Sequence, residues 1–200
     1  NNLEFDHADI FTDLAAIEKQ FHHFVRTIPR SGLLVVNGVD LALARVLRQG
    51  CWTPVEHFGT SSSWQAEALD ADAFRVNLAG QEQGRVRWGL LGEYNRSNAL
   101  AAIAAARHAG VDPGAACEAL GRFDNVKRRM ELRGTAAGVA VYDDFAHHPT
   151  AIAVTVAGLR QKVGTARILA VLEPRSNTMK LGIMKEALPG SLAEADLVYC

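Results

Sequence analysis

Three cysteines in 200 residues, Cys51, Cys117 and Cys200, with no C-x-x-C among them, offer neither a disulfide framework nor a zinc knuckle. A reducing cytosol fits such a set, so a cytoplasmic protein is expected. No apolar stretch approaches the roughly 18 consecutive residues of a membrane span, and no basic-then-apolar leader stands at the N-terminus. An excess of charge of one sign is missing too. The 21 basic and 22 acidic side chains sum to −1, which removes the electrostatic reason to expect nucleic acid or an anionic membrane as partner. There is no internal repeat, and nothing in the sequence speaks to oligomeric state. What is present, 48% hydrophobic and 22% charged residues, suffices for one large soluble domain or two small ones. A small-molecule ligand is the natural expectation. The start, N-N-L-E-F-D-H, and the end, A-D-L-V-Y-C, read as cuts through elements, so a fragment of a longer protein is expected.

Apolar spacing predicts an amphipathic helix over Ala8 to Thr27, with Ile10, Leu14, Ile17, Phe21, Phe24 and Val25 on one side and Pro29 beyond its end. Leu33 to Val36 reads as a short buried strand, followed by a turn at Asn37-Gly38 and a helix capped by Asp40. Glu56 to Gly59 ends another strand, and the serine run at 61 to 63 is a loop. Phe74 to Leu78 and Val86 to Leu90 suggest a hairpin across A-G-Q-E-Q-G. The alanine-rich run after G-E-Y-N-R-S-N is a helix that Gly110 ends, and Asp112-Pro113 opens a second. The basic stretch F-D-N-V-K-R-R-M-E reads as a junction between a domain at 1–124 and another at 125–200. Beyond it come a strand (Val139 to Tyr142), a helix (Pro149 to about Lys162), a nearly all-apolar strand (Arg167 to Leu172), a helix (Lys180 to Leu188) and a strand from Asp196. That alternation predicts an α/β, doubly wound sheet with ligands at the C-terminal strand ends.

Several clusters can carry chemistry. Asp143 and Asp144 leave a strand end, where carboxylates accept hydrogen bonds from ribose hydroxyls. His147, His148 and Pro149 then enter a helix whose N-terminus favours anions. Plain helix capping competes with that reading, and a metal site is disfavoured because adjacent histidines on a turn rarely face one ion. Asn95 and Asn98, three apart at a helix start, can present amides to an adenine-like edge, although Asn95 or Ser97 could simply cap. Arg128 and Arg129 suit phosphate, with a solvated linker as the alternative. Asn2, Glu4, Asp6 and His7 form an oxygen-and-imidazole cluster compatible with Mg²⁺ or Mn²⁺, unless Asp6 is only a cap. Arg175, Ser176 and Asn177 follow the apolar strand, where they could bind a substrate carboxylate or amide or form a hydrophilic loop.

The order N-x-E-x-D-H, G-x-x-N-x-x-N-A-L-A-A, R-R-x-E and D-D-F-A-H-H-P-T resembles the Mur ligase family, ATP-dependent amide ligases of peptidoglycan metabolism, over essentially the whole chain. D-D-[FY]-x-H-H-P-T resembles the members that act on UDP-N-acetylmuramate. E-P-R-S-N-T-M-K-L-G with E-Y-N-R-S-N-A-L is most similar to the murein-recycling branch, which attaches the tripeptide L-Ala-γ-D-Glu-meso-diaminopimelate. The resemblance implies the C-terminal part of a P-loop-type central ATPase domain followed by part of a Rossmann-like C-terminal domain. It further implies ATP and Mg²⁺ (or Mn²⁺). His7 would be a metal ligand, Asn95 and Asn98 would meet adenine, Arg129 the phosphates and Asp144 the ribose. His147 and His148 would lie near the nucleotide or reacting centre, with no proton-transfer role assigned. No G-x-x-G-K-[ST] occurs in the chain, so this polypeptide alone is expected to be inactive. An L-alanine-adding ligase, a non-catalytic nucleotide- or muropeptide-binding relative and a plain structural domain are the competing expectations.

Overall fold

Asp40 and Asp112 each place a carboxylate oxygen on the amide three residues ahead, Leu43 N–H at 2.7 Å and Ala115 N–H at 3.1 Å, and start helices there. These caps belong to the first of two units in a computed structural model that describes residues 1–200. The first unit comprises Asn1–Asp6, Ile10–Gly89 and Tyr94–Phe123; the second comprises His7–Asp9, Leu90–Glu93 and Asp124–Cys200. No helix is long and apolar enough to cross a membrane.

The first unit holds α1 (Leu14–Val25), β1 (Leu34–Asn37), α2 (Leu41–Arg48), β2 (Val55–Phe58), β3 (Trp64–Ala68), β4 (Ala73–Leu78), β5 (Gln81–Arg87), α3 (Glu93–His108, less its first residue) and α4 (Pro113–Leu120). The strands form one sheet in the order β1-β2-β3-β4-β5. β1 and β2 are parallel, β3 meets β2 at the single parallel pair Phe58–Trp64, and β3, β4 and β5 are antiparallel. Trp64, Phe58, Phe74, Val76, Val86 and Ile103 are its deepest side chains; each contributes about 1.5–3 kcal/mol or more on leaving water. Along α3, Ala99, Leu100, Ile103 and Ala104 form the buried face, and Gly110 follows with φ +90.

The structure corrects four expectations in this unit. The first helix begins at Leu14 rather than Ala8, because Asp13 takes the Ala16 N–H (2.8 Å) and leaves Ile10 in the preceding turn, 70% exposed. Within α1, Glu18 is buried while Phe21 and Phe24 are exposed, since Arg45 of α2 meets the Glu18 carboxylate at 2.6 Å. W-Q-A-E-A, unassigned in the sequence, is β3. The hairpin turn is the tight pair Ala79-Gly80, φ +49 and +80, so β5 starts at Gln81 and ends before Leu90.

The second unit contains β6 (Glu131–Ala136), β7 (Val139–Asp143), α5 (Pro149–Val163), β8 (Leu169–Val171), α6 (Asn177–Lys180), α7 (Leu188–Ser191) and β9 (Leu197–Tyr199). β8 and β9 pair in parallel, as the strand-helix-strand alternation requires. β7 pairs instead with β6 in an antiparallel hairpin, and β6 begins in a segment that the sequence presents as junction. The continuous helix expected over Lys180 to Leu188 is not formed: residues 181–187 are turn between the short α6 and α7, because Gly182 takes φ +71 after α6 and Pro189 opens α7 afresh. Ile152, Val156, Met179 and Leu192 form the core, with Ala170 and Leu172 packed against it. The alternate residues Leu169 and Val171 are 48% and 82% exposed, so β8 is covered on one face rather than two.

Candidate functional site

Residues 128 to 130 and 143 to 148 form one piece of backbone in the second unit. Arg128 and Met130 are left-handed, φ +59 and +50, conformations that cost a non-glycine residue about 1–2 kcal/mol each. Five contacts hold them. Arg128 N–H donates to Glu131 Oε2 at 2.9 Å, Met130 N–H donates to Asp144 Oδ2 at 2.8 Å, and Phe145 N–H donates to the Arg128 carbonyl at 2.9 Å. The Arg128 guanidinium lies 3.7 Å from Asp143 and 5.0 Å over the Phe145 ring. Arg128 is thereby committed to the turn. Arg129, between the two left-handed residues, is exposed; its carbonyl accepts from Asn125 Nδ2.

Both Asp144 oxygens are engaged, Oδ1 by Ala146 N–H at 2.7 Å. An ionised carboxylate has about four acceptor positions, which leaves room for a hydroxyl donor. The backbone hydrogen bond from Arg128, ahead of the neighbouring cations, holds the Glu131 carboxyl below the usual glutamate range.

The two histidines part company. His148 is the N-cap of α5, with Nδ1 accepting from Thr150 N–H at 3.3 Å, so its ring proton resides on Nε2. His147 places Nδ1 3.0 Å from the Phe145 carbonyl and packs edge-on against the Phe145 ring at 5.2 Å. A carbonyl only accepts, so this Nδ1 carries the proton. Capping, one of the readings the sequence left open, is realised for His148.

Asn95 and Asn98 lie in the first turns of α3, in the first unit, and the Asn98 side-chain carbonyl accepts from the Asn1 amide. The N-terminal cluster does not close into a cage. Asn2 bonds Glu4, and left-handed His7, φ +53, belongs with Ala8 and Asp9 to the second unit. No three His, Cys, Asp or Glu side chains converge on a metal position anywhere in the chain. The exposed His7 imidazole is chemically suited to be one ligand of a divalent ion. In the segment after β8, Arg175 is exposed, Ser176 caps α6 through Met179 N–H (3.3 Å), and Asn177 Nδ2 donates to Asp9 Oδ2 at 2.8 Å. Sequence reasoning misses Asp9, Thr178 and the Met130 amide. Asp9 and Thr178 lie within two residues of the clusters ending at His7 and Asn177, but nothing in composition marks them as partners.

A mixed sheet with an asparagine-bearing helix and a second α/β unit whose strand-end turn is braced by carboxylates define a two-unit α/β protein. The Mur ligase middle domain matches residues 1–106 and the Mur ligase glutamate ligase domain matches residues 128–200. The chain belongs to the Mur ligase family. It is 58% identical, over 100% of its length, to the UDP-N-acetylmuramate–L-alanyl-γ-D-glutamyl-meso-2,6-diaminoheptandioate ligase of Escherichia coli K12, of which it covers 44%. Identity to the UDP-N-acetylmuramate–L-alanine ligase of Nitratidesulfovibrio vulgaris DP4 is 37% over 86% of this chain and 39% of that protein. Among solved structures, the murein peptide ligase of Psychrobacter arcticus superposes with a TM-score of 0.68 at 44% identity, over 94% of this chain and 41% of that one. The chain thus spans less than half the length of these relatives.

Proposed function

We propose that the protein to which this chain belongs is a cytoplasmic, ATP-dependent amide ligase that joins UDP-N-acetylmuramate to the tripeptide L-Ala-γ-D-Glu-meso-diaminopimelate in peptidoglycan recycling. The observation that carries this reading is the contrast in identity: 58% across the whole chain to a tripeptide-adding enzyme, against 37% to an alanine-adding one. In such a reaction the γ-phosphoryl group of ATP passes to the muramate carboxylate, giving an acyl phosphate and ADP. The amine of the tripeptide then attacks the acyl carbon, phosphate leaves with the C–O bonding pair, and the amine proton is lost.

Asn95 and Asn98 read adenine, Arg129 pairs with phosphate oxygens, and Asp144 accepts from a ribose hydroxyl through its remaining lone pairs. His147 and His148 stand near the nucleotide or reacting centre, with the N-terminus of α5 favouring negative charge there. The segment Arg175, Ser176 and Asn177 faces the second substrate, Arg175 offering its guanidinium to a tripeptide carboxylate. His7 contributes one ligand to Mg²⁺ or Mn²⁺, which would neutralise phosphate charge when bound. The test uses full-length protein with ATP and UDP-N-acetylmuramate, offered tripeptide or L-alanine. Phosphate release with tripeptide is expected; release with L-alanine alone would overturn the assignment in favour of the alanine-adding reaction.

A further inference from the structure

His7 stands in a left-handed conformation, φ +53, uncommon for residues other than glycine although histidine enters it more readily than most, and it is exposed. Its restraints come from the far end of the sequence. The amide N–H of Ala8, which belongs to the peptide bond leaving His7, donates to Thr178 Oγ1 at 3.3 Å across 170 positions. One residue on, Asp9 Oδ2 accepts from Asn177 Nδ2 at 2.8 Å. Fixing the Ala8 peptide fixes ψ of His7, and fixing Asp9 prevents the following turn from swinging. Of the two holders, Thr178 is itself anchored. Thr178 is 2% exposed, and Met179 beside it is buried in the core with Ile152, Val156 and Leu192.

We infer that Asn177 and Thr178 are positioning residues for His7, holding the His7–Asp9 segment on the loop that follows β8. The role rests on the reading of His7 as a metal ligand, and it gives Asn177 a task other than touching substrate. It also makes the loop carrying Arg175 and the segment carrying His7 a single mechanical piece, so that a shift in one displaces the other.

The experiment uses full-length protein and the variants Asn177→Asp, Asp9→Asn, the exchange pair Asp9→Asn with Asn177→Asp, Thr178→Val and Thr178→Ser. Two readouts are taken: hydrogen exchange of the peptide containing Ala8, and Mn²⁺ binding by calorimetry in the presence of ATP. Asn177→Asp sets two carboxylates against each other, and Thr178→Val removes the acceptor. Each should speed exchange and weaken Mn²⁺ binding by about five- to tenfold, the effect of one hydrogen bond. The exchange pair rebuilds an amide–carboxylate bond in the reverse direction and Thr178→Ser keeps the hydroxyl, so both should return to near the parent values. Unchanged exchange in Asn177→Asp and Thr178→Val, or failure of the exchange pair to recover, overturns the inference; a defect confined to the KM for tripeptide does so in favour of direct substrate contact. If exchange and Mn²⁺ binding respond as stated while the parent forms no amide, positioning stands and the proposed reaction falls.

Discussion

Replacing Asp144 by alanine removes one anchor of the Arg128–Met130 turn and one of its own loop at once. The carboxylate accepts from Met130 N–H at 2.8 Å and from Ala146 N–H at 2.7 Å. Hydrogen bonds to a charged acceptor contribute about 1.5–3 kcal/mol each. Asp144 is only half-buried, and water reaches amides freed near the surface, so the pair together is taken as about 2–3 kcal/mol. Arg128 and Met130 cost about 1–2 kcal/mol each in their left-handed conformations. Losing the carboxylate therefore frees the Met130 end of the turn to relax, and Arg129 moves with it. In full-length protein, exchange at the Met130 and Ala146 amides should accelerate about 30-fold, the equivalent of 2 kcal/mol, while β4 and β5 stay protected. ATP affinity should fall by more than the roughly fivefold expected for one ribose hydrogen bond. Asp144→Asn, which keeps one carbonyl acceptor, should lie between parent and alanine. Parent-like exchange at Met130 in the alanine variant would refute the bracing role, whatever happened to ATP binding.

The same turn should respond to acid. Glu131 has its pKa lowered chiefly by the Arg128 N–H bond, so its contribution is present above the unfolded glutamate value, about 4.3, and is lost as pH falls through the lower folded value; an Arg128 amide NMR titration with its midpoint at or above 4.3 would contradict this. Arg160 ties α5 to the segments beyond it, donating to the carbonyls of Gly164 (2.8 Å), Ala166 (2.6 Å) and Glu194 (2.9 Å) and to Asp196 Oδ2 (2.6 Å). Arg160→Met should destabilise the second unit by about 2–3 kcal/mol in urea unfolding, and Arg160→Lys should recover little, because one ammonium cannot span that fork. At Gly84 a Cβ would stand 2.9 Å from Cys117 Sγ and 3.4 Å from Gly114 Cα; Gly84→Ala should cost about 1–3 kcal/mol, partly relieved by Cys117→Ala in the same melts. Cys117 itself, its thiol pushed up to about 11 mainly by burial, should resist alkylation at neutral pH until the protein unfolds, unlike exposed Cys200.

The elements legible in the sequence are those whose ends carry a side-chain signal. Asp40, Asp112 and Gly110 mark helix termini by chemistry that works locally, and a reader of the sequence sees the same groups as the folded backbone does. The hairpin turns are hidden for the converse reason. Both, Ala79-Gly80 and Ala137-Gly138, are left-handed at two successive residues, φ +49 and +80 and φ +49 and +77. Asn-Gly or Asp-Gly usually announces that geometry, whereas alanine announces nothing. β6 is invisible for a second reason as well: Leu132 is 55% exposed and its neighbours are polar or small, so no buried alternation sets it apart from a linker. At the site, residue types foretell which side chains are chemically suited to a nucleotide. Backbone amides carry no type, so the use of Asp144 on Met130 and Ala146 is not legible.

Two pairings tie the motifs of the second unit to one another. R-R-M-E and D-D-F-A are one object, since Asp144 accepts from the strained Met130 amide, Asp143 faces the Arg128 guanidinium, and Phe145 supplies both a donor and a ring for Arg128. H-A-D at 7–9 and N-T at 177–178 are another, joined by an amide-to-hydroxyl and an amide-to-carboxylate bond. Within either pairing, a change in one member leaves a partner with an unmet donor or acceptor, which costs more than the bond contributes when intact. Substitutions should therefore be tolerated in compensating pairs and penalised singly, Asp9 with Asn177 being the cleanest case. Arg129 and Arg175 stand apart from this rule. Each rides on a braced backbone with its guanidinium exposed, so replacing either should weaken ligand binding while leaving the melting temperature in place.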